Sequence, residues 1–274
     1  MTQKERKITD IKTVQSICLN MAKELHRICV ANDIPYFMVG GTLLGAVRHN
    51  GFIPWDDDMD FGIPRKDYER AINILKKELK SPYVCITNED SDCQLHESCK
   101  IMDTSTVIRQ DDVYYKTQLG IFIDIFPYDY SDGRTGLFSN YQLIRTLIRL
   151  QNFRFTHVKG RSAILKLSSY IVKLFLAPLK RTTIPRLIRK HLLLDKGGSL
   201  ISNYGVYSKK EITPMENIGA PKLMKFEDTQ LFGVEKPEAY LTLIYGDFMK
   251  LPPVEKRRIH LLDIEYVNLK NTEK

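Results

Sequence analysis

From Ile8 to Asn32 the apolar positions recur three and four residues apart, at Ile11, Val14, Ile17, Cys18, Met21, Leu25 and Ile28. That period predicts an amphipathic helix, which Pro35 ends. Tyr36–Val39 (YFMV) is a short apolar run and reads as a strand, followed by Gly40-Gly41. TLLGAVRH then reads as a short helix, with Asn50 or Gly51 available at its C-cap. Pro54 marks the entry to an acidic segment, and Lys66 to Lys80 is helical again, with Tyr68, Ile72, Ile74 and Leu75 apolar. PYVCIT, KIMDTSTVI and GIFIDIF (residues 82–87, 100–108 and 120–126) predict strands, the last almost wholly apolar. YQLIRTLIRLQNFRF interleaves cations with Leu, Ile, Phe and Tyr, the pattern of a helix with a basic face. After Ser202 come turn-rich sequence, a helix at PEAYLTLIYGD and the stretch LPPVEKRRIH. With no internal repeat and no low-complexity linker, the pattern describes one core carrying a helical insert.

Composition agrees with a folded chain: 43% of the 274 residues are apolar and 27% charged. The N-terminus, MTQKERKITDIK, is too polar for a secretory signal. The most apolar stretch, AILKLSSYIVKLFLAPL, is broken by Lys166 and Lys173, short of the roughly 20 clean residues of a spanning helix. Five cysteines without a CxxC pair suit neither a disulfide framework nor a zinc site, so the cytoplasm is the expected location. The net charge of +8 is uneven, since residues 133–194 hold 13 Lys and Arg with no Asp or Glu, leaving −5 for the rest. That segment reads as a solvated basic surface, as a face for anionic membrane or another polyanion, or as a nucleic-acid contact. No recognised nucleic-acid module accompanies it, so no specific nucleic acid is expected.

The candidate chemistry lies in GFIPWDDDMDFGI, where Asp56, Asp57, Asp58 and Asp60 crowd together. In an extended segment, alternation puts Asp56, Asp58 and Asp60 on one face and Asp57, Met59 and Phe61 on the other. Carboxylates two residues apart suit Mg²⁺, a hard cation that prefers oxygen ligands and phosphates. A calcium-binding helix–loop–helix is excluded, because Phe61 occupies the place of the sharp-turn glycine and Pro64 lies inside the loop. Upstream, strand, Gly40-Gly41-Thr42 and helix make a short turn whose amides suit a phosphate, although an ordinary tight turn would look the same. Asp124, charged within the apolar GIFIDIF, is the candidate third carboxylate; pairing with a buried arginine or backbone is its plain alternative.

The run VGGTLLGAVRHNGFIPWDDDMDFGIPRKDY, Val39 to Tyr68, resembles the signature of the LicD family of phosphorylcholine transferases, to which the fukutin-related proteins are also similar. FIDIFPYD, Phe122 to Asp129, is similar to the family's second acidic motif, and YGDFMKLPPVEKRRIH, Tyr245 to His260, to its C-terminal signature. The resemblance implies an α+β fold, a nucleotidyltransferase-like core with a small mixed sheet flanked by helices. It divides the chain into a catalytic core over 1–132, a basic helical region over 133–200 and a part completing the cleft over 201–274. It implies transfer of a substituted phosphate, phosphocholine above all, from a CDP-linked donor to a glycan hydroxyl, with release of CMP. Asp58, Asp60 and Asp124 then match the carboxylates for Mg²⁺ (or Mn²⁺), and Gly40, Gly41 and Thr42 the phosphate turn. Asp56 belongs to the motif without an assigned contact.

Arg48 and Lys100 are candidate phosphate clamps, and His260 a candidate substrate contact. Trp55 and Tyr128, with Tyr114 and Tyr115 as further options, are candidates for a cage around choline. A lipid-linked acceptor would give the basic region a use at the inner face of the membrane. Two other readings stand beside this one: a nucleotidyltransferase using NTPs, and a non-catalytic basic protein binding membranes or polyanions.

Overall fold

The computed structural model describes residues 6–8, 10–90, 97–108, 119–155, 170, 172–180, 182–192, 198–205, 207–257 and 264–266. Asp10 caps the first helix, α1 (Ile11–Ala31), by accepting the Thr13 amide, and buries the side on which Val14, Cys18, Met21, Leu25 and Ile28 recur. The chain then enters β2 (Phe37–Met38), α2 (Gly40–His49), β3 (Asp60–Pro64) and α3 (Arg65–Glu78). Asn50 at φ 56° ends α2 in the left-handed conformation, which asparagine adopts more readily than most residues. Helix α2 includes both glycines that the sequence reading left in a turn before it.

Strands β4 (Tyr83–Ile86), β5 (Cys99–Asp103) and β6 (Thr106–Ile108) follow, then β7 (Phe122–Ser131), the strand around which the fold is organised. KIMDTSTVI, read as one strand, is two: Asp103 Oδ1 accepts the Ser105 amide, turning the chain between β5 and β6. The central mixed sheet runs β2-β3-β7-β5-β4. Its β3–β7 pair is parallel and the β2–β3, β7–β5 and β5–β4 pairs are antiparallel. The far half of β7 pairs with β8 (Leu200–Ser202), which pairs in turn with β9 (Thr213–Pro214). β6 lies in a separate three-stranded sheet with β1 (Arg6–Ile8) and β12 (Ile264–Tyr266), and β10 (Lys222–Phe226) and β11 (Thr229–Gly233) form a hairpin. The main core gathers the apolar side of α1 with Phe37, Phe61, Ile101, Ile123 and Ile125.

The basic region has a small core of its own. Helices α4 (Asn140–Phe155) and α5 (Thr183–Leu192) enclose Tyr141, Ile144, Ile184, Ile188 and Leu192 together with Tyr204. It is tied to the rest by the β8–β7 pairing, by Arg189 of α5 to Glu69 of α3 at 2.7 Å, and by Arg145, whose guanidinium donates to the Tyr204 carbonyl at 2.9 Å. A one-turn helix α6 (Met215–Ile218) and α7 (Pro237–Tyr245) complete the described helices, apart from residues 172–176, which are also helical. Mixed strands and helices of this order are consistent with an α+β fold. Among the described residues no helix is long and apolar enough to cross a membrane.

Candidate active site

Register brings the charges together. Asp60 on β3 pairs with Asp124 on β7, and Asp124 pairs with Lys100 on β5. Neighbouring strands lie about 4.8 Å apart, so two carboxyl groups and one ammonium stand in a row across one face of the sheet. Lys100 Nζ donates to both Asp124 oxygens, at 2.7 and 2.9 Å, with its charge 3.5 Å from the Phe122 ring centre. On the other side of Asp60 stands the N-terminus of α2. Gly40 takes φ +55°, and a Cβ on it would lie 3.3 Å from Asp60 Oδ2; one on Gly41 would lie 2.6 Å from Asp56 Oδ2. The two glycines therefore let two carboxylates lie against the first turn, where the helix dipole favours negative charge.

The segment before β3 alternates. Asp57, Met59 and Phe61 are buried, while Asp56, Asp58 and Asp60 line a cavity. Burial, the Asp58 charge and a hydrogen bond with Asp58 push the Asp56 carboxyl up to about 8. Burial, with Asp58 and Asp124 close by, pushes Asp60 well above the carboxylate range. Carboxylates so crowded are short of positive charge, and their all-oxygen chemistry fits a hard divalent cation. Among the described residues no three His, Cys, Asp or Glu side chains are already drawn into a metal-holding group. Asp58 and Asp60 are the residues that could hold such an ion, whereas Asp124 would have to share with Lys100 or leave it.

The cavity measures about 1090 Å³, ample for a nucleotide-sized ligand and part of a second substrate. Its floor is the carboxylate row and the start of α2. One wall comes from α4 and α5, with Ile144, Arg145, Ile148 and Ile188. The opposite wall comes from the C-terminal segment, with Tyr207, Glu211, Tyr240, Tyr245 and Phe248. The Tyr207 and Tyr245 hydroxyls are hydrogen-bonded at 3.0 Å, and burial raises both phenols above their usual range. Glu211 is 4% exposed, and burial pushes its carboxyl up to about 7 against the opposing pull of the Tyr207 amide and Arg145.

Comparison with known proteins places the chain. The family model described as "LicD/FKTN/FKRP, nucleotidyltransferase domain" matches residues 33–155, from the approach to β2 through α4. Lipopolysaccharide cholinephosphotransferase LicD of Haemophilus influenzae is 33% identical over 274 residues, covering 96% of this chain and 99% of that protein. The chain belongs to the LicD family. It is a LicD-type transferase. The human and mouse ribitol 5-phosphate transferases FKRP are 44% identical over 54 residues, 18% of this chain and 11% of theirs. An uncharacterized protein of Rickettsia prowazekii, RP689, is 42% identical over 76 residues, 21% of this chain and 29% of that one.

Of the residues singled out in this LicD-family chain, Gly40, Gly41, Arg48, Trp55, Asp58, Asp60, Lys100 and Asp124 all line the cavity. Thr42 does not: it is 4% exposed, and its hydroxyl accepts the Asp60 amide at 2.8 Å, locking α2 to β3. Tyr128 does not either. Its ring packs on Phe37 and its hydroxyl bonds that of Tyr240 at 2.8 Å, so no face is left for a cage. Trp55 has the Arg257 guanidinium 4.2 Å from its ring centre, and Arg48 reaches the Phe248 carbonyl at 2.8 Å. His260, Tyr114 and Tyr115 lie outside the described residues. The sequence reading placed Asp56 on the cluster's face without giving it a contact, and it missed the set Arg145, Tyr207, Glu211, Tyr240 and Tyr245. Tyr245 opens the C-terminal signature and was findable there. Glu211 follows Lys209-Lys210 and looks like solvated surface in the sequence.

Proposed function

We propose that the protein is a Mg²⁺-dependent phosphotransferase that moves phosphocholine from CDP-choline to a hydroxyl of a cell-surface glycan precursor, of lipopolysaccharide or teichoic-acid type, and releases CMP. The observation that carries this reading is the Lys100–Asp124–Asp60 row beside the α2 N-terminus, at the floor of a cavity large enough for donor and acceptor. The names borne by the Haemophilus and mammalian relatives supply the class of group transferred.

Asp58 and Asp60 would hold Mg²⁺, which would supply charge neutralisation for the donor pyrophosphate and the departing CMP. Arg48 at the end of α2 lines the cavity and offers its remaining N–H groups to phosphate oxygens. In the transfer the acceptor oxygen bonds the donor's β-phosphorus, the bond from that phosphorus to the CMP oxygen breaks, and the hydroxyl proton leaves. Asp124 is held at both oxygens by Lys100, which leaves Asp56 as the better placed proton acceptor.

The acceptor is brought at a membrane. Among the described residues Leu137, Phe138, Tyr170, Leu174, Phe175 and Leu187 are exposed, Phe138 at 99%, within a segment of 13 cations and no acid. Apolar side chains among cations suit the anionic inner leaflet, with the protein peripheral to it. Salt-insensitive pelleting with anionic liposomes, or none at all, would remove this part of the reading.

The test of the reaction is CMP release from CDP-choline, with thermal shifts for CDP-choline, CDP-ribitol, CDP-glycerol, CTP and ATP in Mg²⁺, beside Asp58→Ala. A ligand at 100 times its Kd adds ~2.7 kcal/mol of apparent stability. A Mg²⁺-dependent shift with CDP-choline that Asp58→Ala abolishes is expected. A shift with triphosphates alone would replace this reading with the NTP-using one.

A further inference from the structure

Beyond the carboxylate row the cavity holds a second acidic group that phosphate chemistry does not use. Glu211 closes a short 3₁₀ turn, Ser208–Glu211, and faces the cavity at 4% exposure. Its Oε1 accepts the Tyr207 amide at 3.0 Å, and its Oε2 is buried without a hydrogen-bond partner. The backbone makes room for it, since a Cβ on Gly205 would lie 2.7 Å from Oε1. Arg145, the nearest cation from α4, directs its guanidinium to the Tyr204 and Gly205 carbonyls. A carboxylate oxygen kept in a cavity without a donor is costly unless positive charge arrives from elsewhere.

The surroundings say which kind of positive charge fits. The Tyr207 and Tyr245 rings meet edge to face, centres 5.2 Å apart and planes 77° apart, and their hydroxyls are occupied with each other. Both rings line the cavity with Glu211, whose Oε2 makes no hydrogen bond, and aromatic surface beside a carboxylate oxygen suits a cation that has no N–H to offer. A neutral polyol would instead leave hydroxyls unpaired against ring faces. The cage shares its cavity with Asp56, Asp58 and Asp60.

We propose that Glu211, Tyr207 and Tyr245 form the subsite for a quaternary ammonium headgroup and select a choline-bearing donor over neutral polyol donors. This rests on the CDP-linked donor reading above, and it moves the cage from Trp55 and Tyr128 to the C-terminal wall. Trp55 already carries Arg257, and Tyr128 is sealed in the core.

The experiment is calorimetric binding of CDP-choline, CDP-glycerol and CMP, in Mg²⁺, to wild type, Glu211→Gln and Tyr207→Leu. Wild type is expected to prefer CDP-choline over CDP-glycerol by about tenfold, the scale of one or two desolvated cation–π contacts. Glu211→Gln should bring that ratio to within about twofold while CMP binds as before, and Tyr207→Leu should lower it in the same direction. A full preference retained in Glu211→Gln overturns the proposal. Should that variant also lose CMP, the ratio in Tyr207→Leu decides in its place. Wild type binding both donors equally overturns this subsite alone, whereas wild type binding no CDP-linked nucleotide overturns the donor reading as well.

Discussion

Lys100→Met tests the charge row directly. Lys100 is the cation that answers Asp124, and Asp124 stands one strand from Asp60. The pair is largely shielded, with side-chain exposures of 12% for Lys100 and 19% for Asp124. At an effective dielectric of 20, opposite charges about 3 Å apart attract by roughly 5 kcal/mol, and Asp60, pushed well above the carboxylate range, adds no full like charge in EDTA. Removing the lysine forfeits that attraction and leaves Asp124 unpaired, while the hydration that Lys100 gave up on folding is no longer lost. The net expected cost is about 3 kcal/mol, in line with breaking other buried pairs from one side.

For a chain of this size about 3 kcal/mol lowers Tm by about 8 °C, read in EDTA at pH 7.5 by scanning calorimetry. A divalent cation supplies the missing charge from the other end of the row, so Mg²⁺ is expected to raise Tm more in Lys100→Met than in wild type. A variant whose Tm in EDTA falls by less than about 2 °C would refute the electrostatic account of the row. A variant that is destabilised but indifferent to Mg²⁺ would refute the assignment of a cation to it.

Arg65 Nε and Nη2 bind both oxygens of Asp129 at 2.7 and 2.9 Å, so Arg65→Met, which leaves Asp129 buried and unpaired, should lose about 3–5 kcal/mol in urea unfolding. Glu211 has a folded pKa raised from 4.5 to about 7, so its contribution is fully present below pH 4.5 and is lost as pH rises through 7. Glu211→Gln should flatten that part of the pH–stability profile and be the more stable protein above pH 7, by up to roughly 3 kcal/mol. Gly41→Ala puts a Cβ 2.6 Å from Asp56 Oδ2, and since misplacing a reacting group by about 1 Å can cost 10²-fold in rate, CMP release should fall at least tenfold while Tm holds.

What was legible in the sequence was local or periodic. The α1 face repeats every three to four residues, and the alternation at 56–61 is the alternation of the folded chain, acids to the cavity and Asp57, Met59 and Phe61 inward. Asp124 stood out because a charge in GIFIDIF demands a partner. Which partner was a matter of register, and register between β5, β7 and β3 is not written in any one segment. The Thr42 contact with β3 was not legible, because a hydroxyl after two glycines suits a phosphate and a strand amide equally well and only the approach of β3 shows the second. Tyr128 misled for a related reason: it lies two strand positions beyond Phe126, which does line the cavity, but there the sheet face is already covered by Phe37.

The charge asymmetry acquires its meaning from the fold. Summed over the chain it is a moderate +8, which says little about a site. Resolved onto the cavity it becomes two unlike walls. The sheet side presents Asp56, Asp58, Asp60 and Asp124, and α4 presents Arg145 and Arg149 from across the space. The segment that carries 13 cations is therefore a working wall of the pocket as well as a basic surface, because α4 turns Ile144 and Ile148 inward while Leu143 and Arg149 remain open to solvent. The family match, ending at residue 155 with α4, includes this wall together with the carboxylates. A ligand lying between the two walls is fixed in orientation by its own charges. For a donor whose pyrophosphate is negative and whose headgroup is positive, the proposed arrangement would have the carboxylate row take phosphate through a cation and Glu211 take the headgroup without one.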